Sequence, residues 1–146
     1  MKQIVKTKSA KETGALAKKL ARELPAKKES LVLALFGDLG AGKTTFTQSF
    51  AKALGVQKRI LSPTFLIMKR FSLVKGNFDN LYHVDAYRVM ASDLKKLGIE
   101  KIFKEQSIVL IEWADRVKSI LPKGTIGIKF EHGIKENERQ ITINRR

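Results

Sequence analysis

The chain of 146 residues contains no cysteine, which excludes disulfides and thiolate-held metals. No run approaches the ~20 consecutive apolar residues of a membrane span. The N-terminal MKQIVKTKSAKET is charged but lacks the apolar stretch of a secretory signal. Repeats, low-complexity tracts and linkers are missing as well, so one domain over residues 1–146 in the cytoplasm is the expectation. Acidic residues are scarce. Fourteen Asp and Glu stand against 29 Lys and Arg, for a formal net charge of +15. Such a field attracts nucleic acid, acidic proteins and nucleotides alike. No Arg-rich block or basic–aromatic interleaving localises it, so a generally basic surface and a polyanionic partner both remain open.

A hydrophobic share of 43% is too high for a disordered chain and supports a packed core. Ser9 and Glu12 form an S-x-x-E capping box before a helix with Leu16, Leu20 and Leu24 on one face, which Pro25 ends. LVLALF (31–36) reads as a buried strand. A helix from about Lys43 to Leu54 follows, with Phe46 and Phe50 on one face and Gly55 at its C-terminal cap. Strands are expected in FLIMKRFSLV and LYHVDAYR around a KGNFDN turn, then a short helix capped by Ser92 over DLKKLG. SIVLIEW (107–113) is another buried strand, and a helix of about ADRVKSIL runs up to Pro122. TIGIKFEHG and RQITINRR alternate as a terminal hairpin. Buried strands alternating with helices predict an α/β three-layer sandwich of the P-loop NTPase kind. Its mixed, mostly parallel central sheet is covered on both faces.

The stretch GDLGAGKTTF, residues 37 to 46, carries the chemistry. Gly37, Gly42, Lys43 and Thr44 fit G-x-x-x-x-G-K-[ST] between a buried strand and an amphipathic helix, the context this motif requires. Glycines let successive N–H groups turn inward around anionic oxygens, and the helix adds its positive end. Lys43 would reach the β- and γ-phosphates, and the Thr44 hydroxyl would hold Mg²⁺.

Phosphoryl transfer also needs acids. Glu112 ends the apolar strand IVLI, where a carboxylate points from the strand's C-terminal edge toward a bound nucleotide. His83 and Asp85 alternate onto one face of LYHVDAYR with Leu81. Asp85 is either a completion of the metal shell, a water-orienting group, or a solvated strand end. His83 reads as a hydrogen-bonded structural residue, and Trp113 as packing. Thr64, in the loop Ser62–Pro63–Thr64–Phe65, could sense a γ-phosphate as switch loops do.

In this order GDLGAGKTTF, SPTF, HVDAYR and LIEWADR resemble the bacterial tRNA threonylcarbamoyladenosine biosynthesis protein TsaE (YjeE) family, from about Ser9 to Pro122. The resemblance implies a small Mg²⁺-dependent ATPase. Such a protein works with TsaD and TsaB in threonylcarbamoylation of adenosine 37 in ANN-decoding tRNAs, driving or resetting the transferase cycle. It implies that Leu39, Gly40, Ala41, Gly42, Lys43, Thr44 and Thr45 hold the phosphates, and that Thr44 and Glu112 coordinate Mg²⁺. It further implies that Asp85 supports the metal shell or the attacking water, and that Thr64 lies in a switch-like loop. Phe71 stands where the family usually carries Tyr, GIEKIFKEQ has fewer acids than usual, and the basic surface is unusual. The basic surface makes direct tRNA contact an open question.

Three rivals are weaker. A small-molecule kinase would need an acceptor pocket and an Arg-bearing lid, yet Arg59, Arg70 and Arg88 are scattered and no arginine stands out as poised in cis. A GTP switch would carry N-K-x-D, which is absent. A plain nucleic-acid binder has no use for Glu112 and Asp85 beside a phosphate site.

Overall fold

The computed structural model describes residues 2–38, 40–57 and 67–145. Leu39 and Thr64 lie outside the described residues, as do the first two positions of FLIMKRFSLV. The described elements are β1 (Lys2–Thr7), α1 (Ala10–Arg22), β2 (Leu31–Gly37), α2 (Lys43–Ala53), β3 (Met68–Ser72), β4 (Asn80–Asp85), α3 (Ala91–Lys96), α4 (Ile99–Ile102) and β5 (Ser107–Glu112). A 3-10 segment (Ala114–Ile120), β6 (Ile126–His132) and β7 (Arg139–Arg145) complete the order.

The strands form one sheet in the order β1-β7-β6-β2-β5-β4-β3. Its centre is parallel: β6, β2, β5 and β4 run the same way. The edges are antiparallel, with β1 on β7, β7 on β6 and β3 on β4. β5 is buried along its whole length and β2 up to its last two residues, which is why both read as unbroken apolar runs. Their alternate side chains feed two cores. Leu31, Leu33, Leu35, Ile108 and Leu110 meet α1 and α2, whereas Val32, Ala34, Val109 and Ile111 meet α3, α4 and the 3-10 segment.

The helices on the first face sit close. Ser9 Oγ accepts the Glu12 N–H at 3.1 Å, while the Glu12 carboxylate takes the Lys8 N–H at 3.1 Å rather than that of Ser9. Gly14 of α1 faces Ser49 of α2, and a Cβ at Gly14 would lie 2.7 Å from Ser49 Oγ. Phe46 stacks on Phe50 with centroids 5.9 Å apart and meets the edge of Phe130 at 5.5 Å. Gly55, at φ +95°, closes α2 so that the Val56 N–H returns to the Ala51 carbonyl at 3.0 Å.

The structure departs from the expectations in several places. β1 was not legible, because four of its six residues, KQIVKT, are polar and its hydrogen-bonding partner is β7, over a hundred residues away. The short helix α3 starts after Met90, not Ser92, since the Asp93 carboxylate accepts the Met90 N–H at 2.8 Å. α4 was not anticipated. The expected helix over ADRVKSIL is a kinked 3-10 segment with non-helical Val117. Coverage of the sheet is also uneven: the second core contains no residue of β6, β7 or β1, so that among the described residues no helix covers that part of its face.

Candidate nucleotide site

The P-loop is shaped by neighbours as well as by its glycines. Gly37, the last residue of β2, has φ +135°, and any Cβ there would collide with the Phe130 carbonyl oxygen on β6. Gly40 and Gly42 have φ +76° and +104°, the conformations that turn backbone N–H groups toward a common centre. Gly42 is the N-cap of α2 and offers no side chain to cap it, which leaves the helix's positive end for an anion. A cleft of about 270 Å³ opens here, lined by Gly40, Gly42, Lys43, Thr44 and Thr45, with Glu112 and Trp113 on one side. Ala41, the remaining described loop residue, is buried beneath them.

Lys43 is 5% exposed. Its Nζ donates to the Gly37 carbonyl at 2.5 Å and to the Asp38 carbonyl at 2.7 Å, and lies 3.9 Å from the centroid of the Trp113 ring. Burial pushes the Lys43 pKa below 10.5, against the opposing pull of Glu112, Asp115, Asp38 and Asp85. The ammonium is thus held by carbonyls and a ring face rather than by a carboxylate. Phosphate oxygens are a stronger partner than either.

Sheet register brings the acids to the same level. Glu112 sits between Leu35 of β2 and Asp85 of β4, each its direct partner. Glu112 is 3% exposed and His83 1%, and His83 Nε2 lies 2.5 Å from Glu112 Oε2. The histidine therefore fixes the carboxylate's orientation and leaves Oε1 for other ligands. This agrees with the structural role expected for His83. Asp85 Oδ1 accepts the Tyr87 N–H at 3.0 Å, which holds its carboxylate at the strand end.

Trp113 does more than fill space. It has φ +59°, a left-handed conformation that costs a bulky residue of order 1–3 kcal/mol. That turn takes Trp113 out of β5 and places its ring between Lys43 and Tyr87, whose ring centroid is 4.8 Å away. Arg116 stacks 5.4 Å beyond on the Tyr87 ring.

The opposite wall of the cleft was missed by the sequence reading. Ser9, the N-cap of α1, and Ala10 and Thr13 of its first turn line it together with Asn137 and Arg139. Arg139 donates to the Gly40 carbonyl at 3.2 Å and to the carbonyls of Glu136 and Glu138 at 2.7 and 2.8 Å. An arginine is therefore poised against the loop in cis. It escaped notice because it lies 99 residues from Gly40, and only the β6–β7 pairing brings them together.

Oxygen donors suit a hard cation. The Thr44 hydroxyl is exposed at the cleft and the Glu112 carboxylate shares it. Among the described residues no group of three or more His, Cys, Asp or Glu forms a metal cage. Mg²⁺ needs none, since it takes one or two protein oxygens plus water and phosphate. The residues present fit it.

A family model described as threonylcarbamoyl adenosine biosynthesis protein TsaE matches residues 7–141. The chain belongs to the TsaE family. It is 40% identical over 144 residues to the tRNA threonylcarbamoyladenosine biosynthesis protein TsaE of Bacillus subtilis, covering 98% of this chain and 86% of that protein. The protein of that name from Treponema pallidum is 33% identical over 138 residues, 94% and 96% of the two chains. The crystal structure of Bacillus subtilis YdiB superposes with a TM-score of 0.76 at 34% identity, over 99% of this chain and 86% of that one. The TsaE match thus extends past Pro122 and takes in β6 and the start of β7.

Proposed function

We propose that this TsaE-family chain is a Mg²⁺-dependent ATPase that serves threonylcarbamoylation of adenosine 37 in ANN-decoding tRNAs, working with TsaD and TsaB to drive or reset the transferase cycle. The observation that carries the ATPase reading is the convergence of Lys43 and Glu112 on one cleft, from elements joined by sheet register. The names of the relatives carry the tRNA reading.

The cleft has a direction. Glu112 and Asp85 stand on the β5–β4 side of β2, and Arg139 stands on the β6–β7 side. A triphosphate along the loop from Gly40 to Thr45 would place its γ-end by the acids and its nucleoside between α1 and Arg139. Lys43 would exchange the carbonyls of Gly37 and Asp38 for phosphate oxygens, with Trp113 limiting its swing. The Thr44 hydroxyl and Glu112 would hold Mg²⁺, which would supply charge neutralisation to the phosphates. Asp85 would support the metal shell or orient the attacking water, and Thr64 is assigned to the switch-like loop on the family resemblance. Arg139 lies away from the γ-end, so it binds rather than serves as a transition-state finger. Slow turnover by the chain alone follows.

The test is equilibrium binding of ATP with and without Mg²⁺. Lys43→Ala should abolish binding in both, whereas Glu112→Gln should remove the gain from Mg²⁺ and leave metal-free binding largely intact. Wild-type affinity in Lys43→Ala would sink the reading.

A further inference from the structure

The uncovered part of the sheet is a second feature with its own chemistry. On the face away from α1 and α2, β6, β7 and β1 present Lys129, Thr142, Asn144 and Lys2 to solvent, in register with one another. The 3-10 segment and the turn before β6 form a wall carrying Lys118 and Lys123. Together they line a groove of about 1060 Å³. None of these four lysines lies within ion-pair distance of a carboxylate among the described residues. The groove's two acids, Asp38 and Asp115, stand at the end where it reaches Gly37 and Trp113 of the nucleotide cleft.

We propose that this groove binds RNA through its phosphate backbone, and that the RNA is the tRNA of the modification reaction; the second half rests on the proposed function. Charge complementarity is the first argument: four lysines with no carboxylate in ion-pair distance among the described residues line one concave strip, on a chain of net charge +15. Its polar row is the second. The Thr142 hydroxyl and Asn144 amide supply neutral donors of the kind that accompany lysine at phosphates. An acidic protein is the less suitable occupant, because among the side chains of β6, β7 and β1 on this face the one exposed large apolar group is Ile4. The groove's apolar lining, chiefly Phe36, Leu121 and Pro122, is half-buried and lies off these three strands, so the strip that carries Lys2 and Lys129 offers no apolar centre of the kind a protein interface needs. Phe36, the groove's aromatic within the sheet, is half-buried with Lys118 5.4 Å over its ring. Base stacking is thus disfavoured and backbone contact favoured. The shared border at Gly37 and Asp38 is also where Lys43 is held, so RNA in the groove would lie beside the phosphate site.

The experiment is fluorescence anisotropy with a labelled, unmodified ANN-decoding tRNA transcript across a range of salt. It compares the wild-type chain, Lys118→Glu/Lys129→Glu, and a control of equal charge, Lys18→Glu/Lys19→Glu, on the exposed side of α1. Each lost phosphate contact removes about 0.7–0.9 from the salt slope. The groove variant should weaken binding at least tenfold and lower the slope by roughly two contacts, with the control within about threefold of wild type. Unchanged ATP binding shows that a variant is folded. No wild-type binding at low salt would overturn the proposal, as would equal losses in both variants. Displacement of the tRNA by polyglutamate at equal charge concentration would also overturn it, by revealing a patch without preference for RNA. The two readings fail separately: a chain that hydrolyses ATP but holds tRNA regardless of the groove loses this inference alone. One that shows groove-dependent tRNA binding but does not hydrolyse ATP loses the ATPase reading alone.

Discussion

At the scale of single residues, the members of the proposed nucleotide site divide by how far their partners lie in sequence. Lys43, Thr44 and Gly42, which do line one cleft, could be singled out because the motif packs them into eight positions. Glu112 was legible because an acid after a buried strand is a local signal. His83 was readable as a structural residue, but not as the residue that orients Glu112, since that contact spans 29 positions. Arg139 was invisible for the same reason. Its side chain is fixed by three carbonyls and faces the expected nucleoside end. Arg139→Ala is therefore expected to raise the Kd for ATP roughly tenfold or more, yet leave binding of inorganic tripolyphosphate nearly unchanged. Titration calorimetry with both ligands checks this. Equal losses for the two would mean that Arg139 only props the loop.

Elements were read well where they are long and periodic, and poorly where tertiary contacts define them. α1, α2, β2 and β5 sit close to their expected places. The 3-10 segment departs because Trp113 enters it in the left-handed conformation, which a pattern of apolar residues does not reveal. β1 needed β7 to exist. Two predictions belong to this scale. Gly14→Leu would drive a side chain into Ser49 across the α1–α2 contact, costing about 1–3 kcal/mol by overpacking. Thermal or urea unfolding measures it, and an unchanged midpoint would mean that the two helices do not meet as described. The second concerns β4 and the segment after α4, where the Tyr82 hydroxyl donates to Glu105 at 2.9 Å. Burial first, then this bond and the Glu105 charge, raise the Tyr82 pKa above 10.0. The folded chain thus keeps the proton when the unfolded chain has released it. That contribution is fully present below pH ~10 and is lost as pH rises through the higher folded-state value. Tyr82→Phe should lower stability at pH 8 and flatten its alkaline decline. An equally steep decline in the variant would assign the effect elsewhere.

For the whole molecule, the sequence indicated a mixed, mostly parallel sheet and its terminal hairpin, because buried strands and turn residues are local. It did not show that one face is left partly open, because that depends on which strands the helices reach. Nor did it show that four of the 29 basic residues, far apart in sequence, meet in one groove. At this scale the central claim is that the P-loop cleft hydrolyses ATP for a tRNA-modifying assembly. ATP turnover by the purified chain, alone and with the TsaD–TsaB pair, tests it most directly, with Lys43→Ala run beside the wild type. The account predicts slow turnover alone, a clear rise with the pair, and a fall of roughly 100-fold or more in the variant under both conditions. Brisk turnover that ignores the pair, or turnover that survives Lys43→Ala, would contradict it.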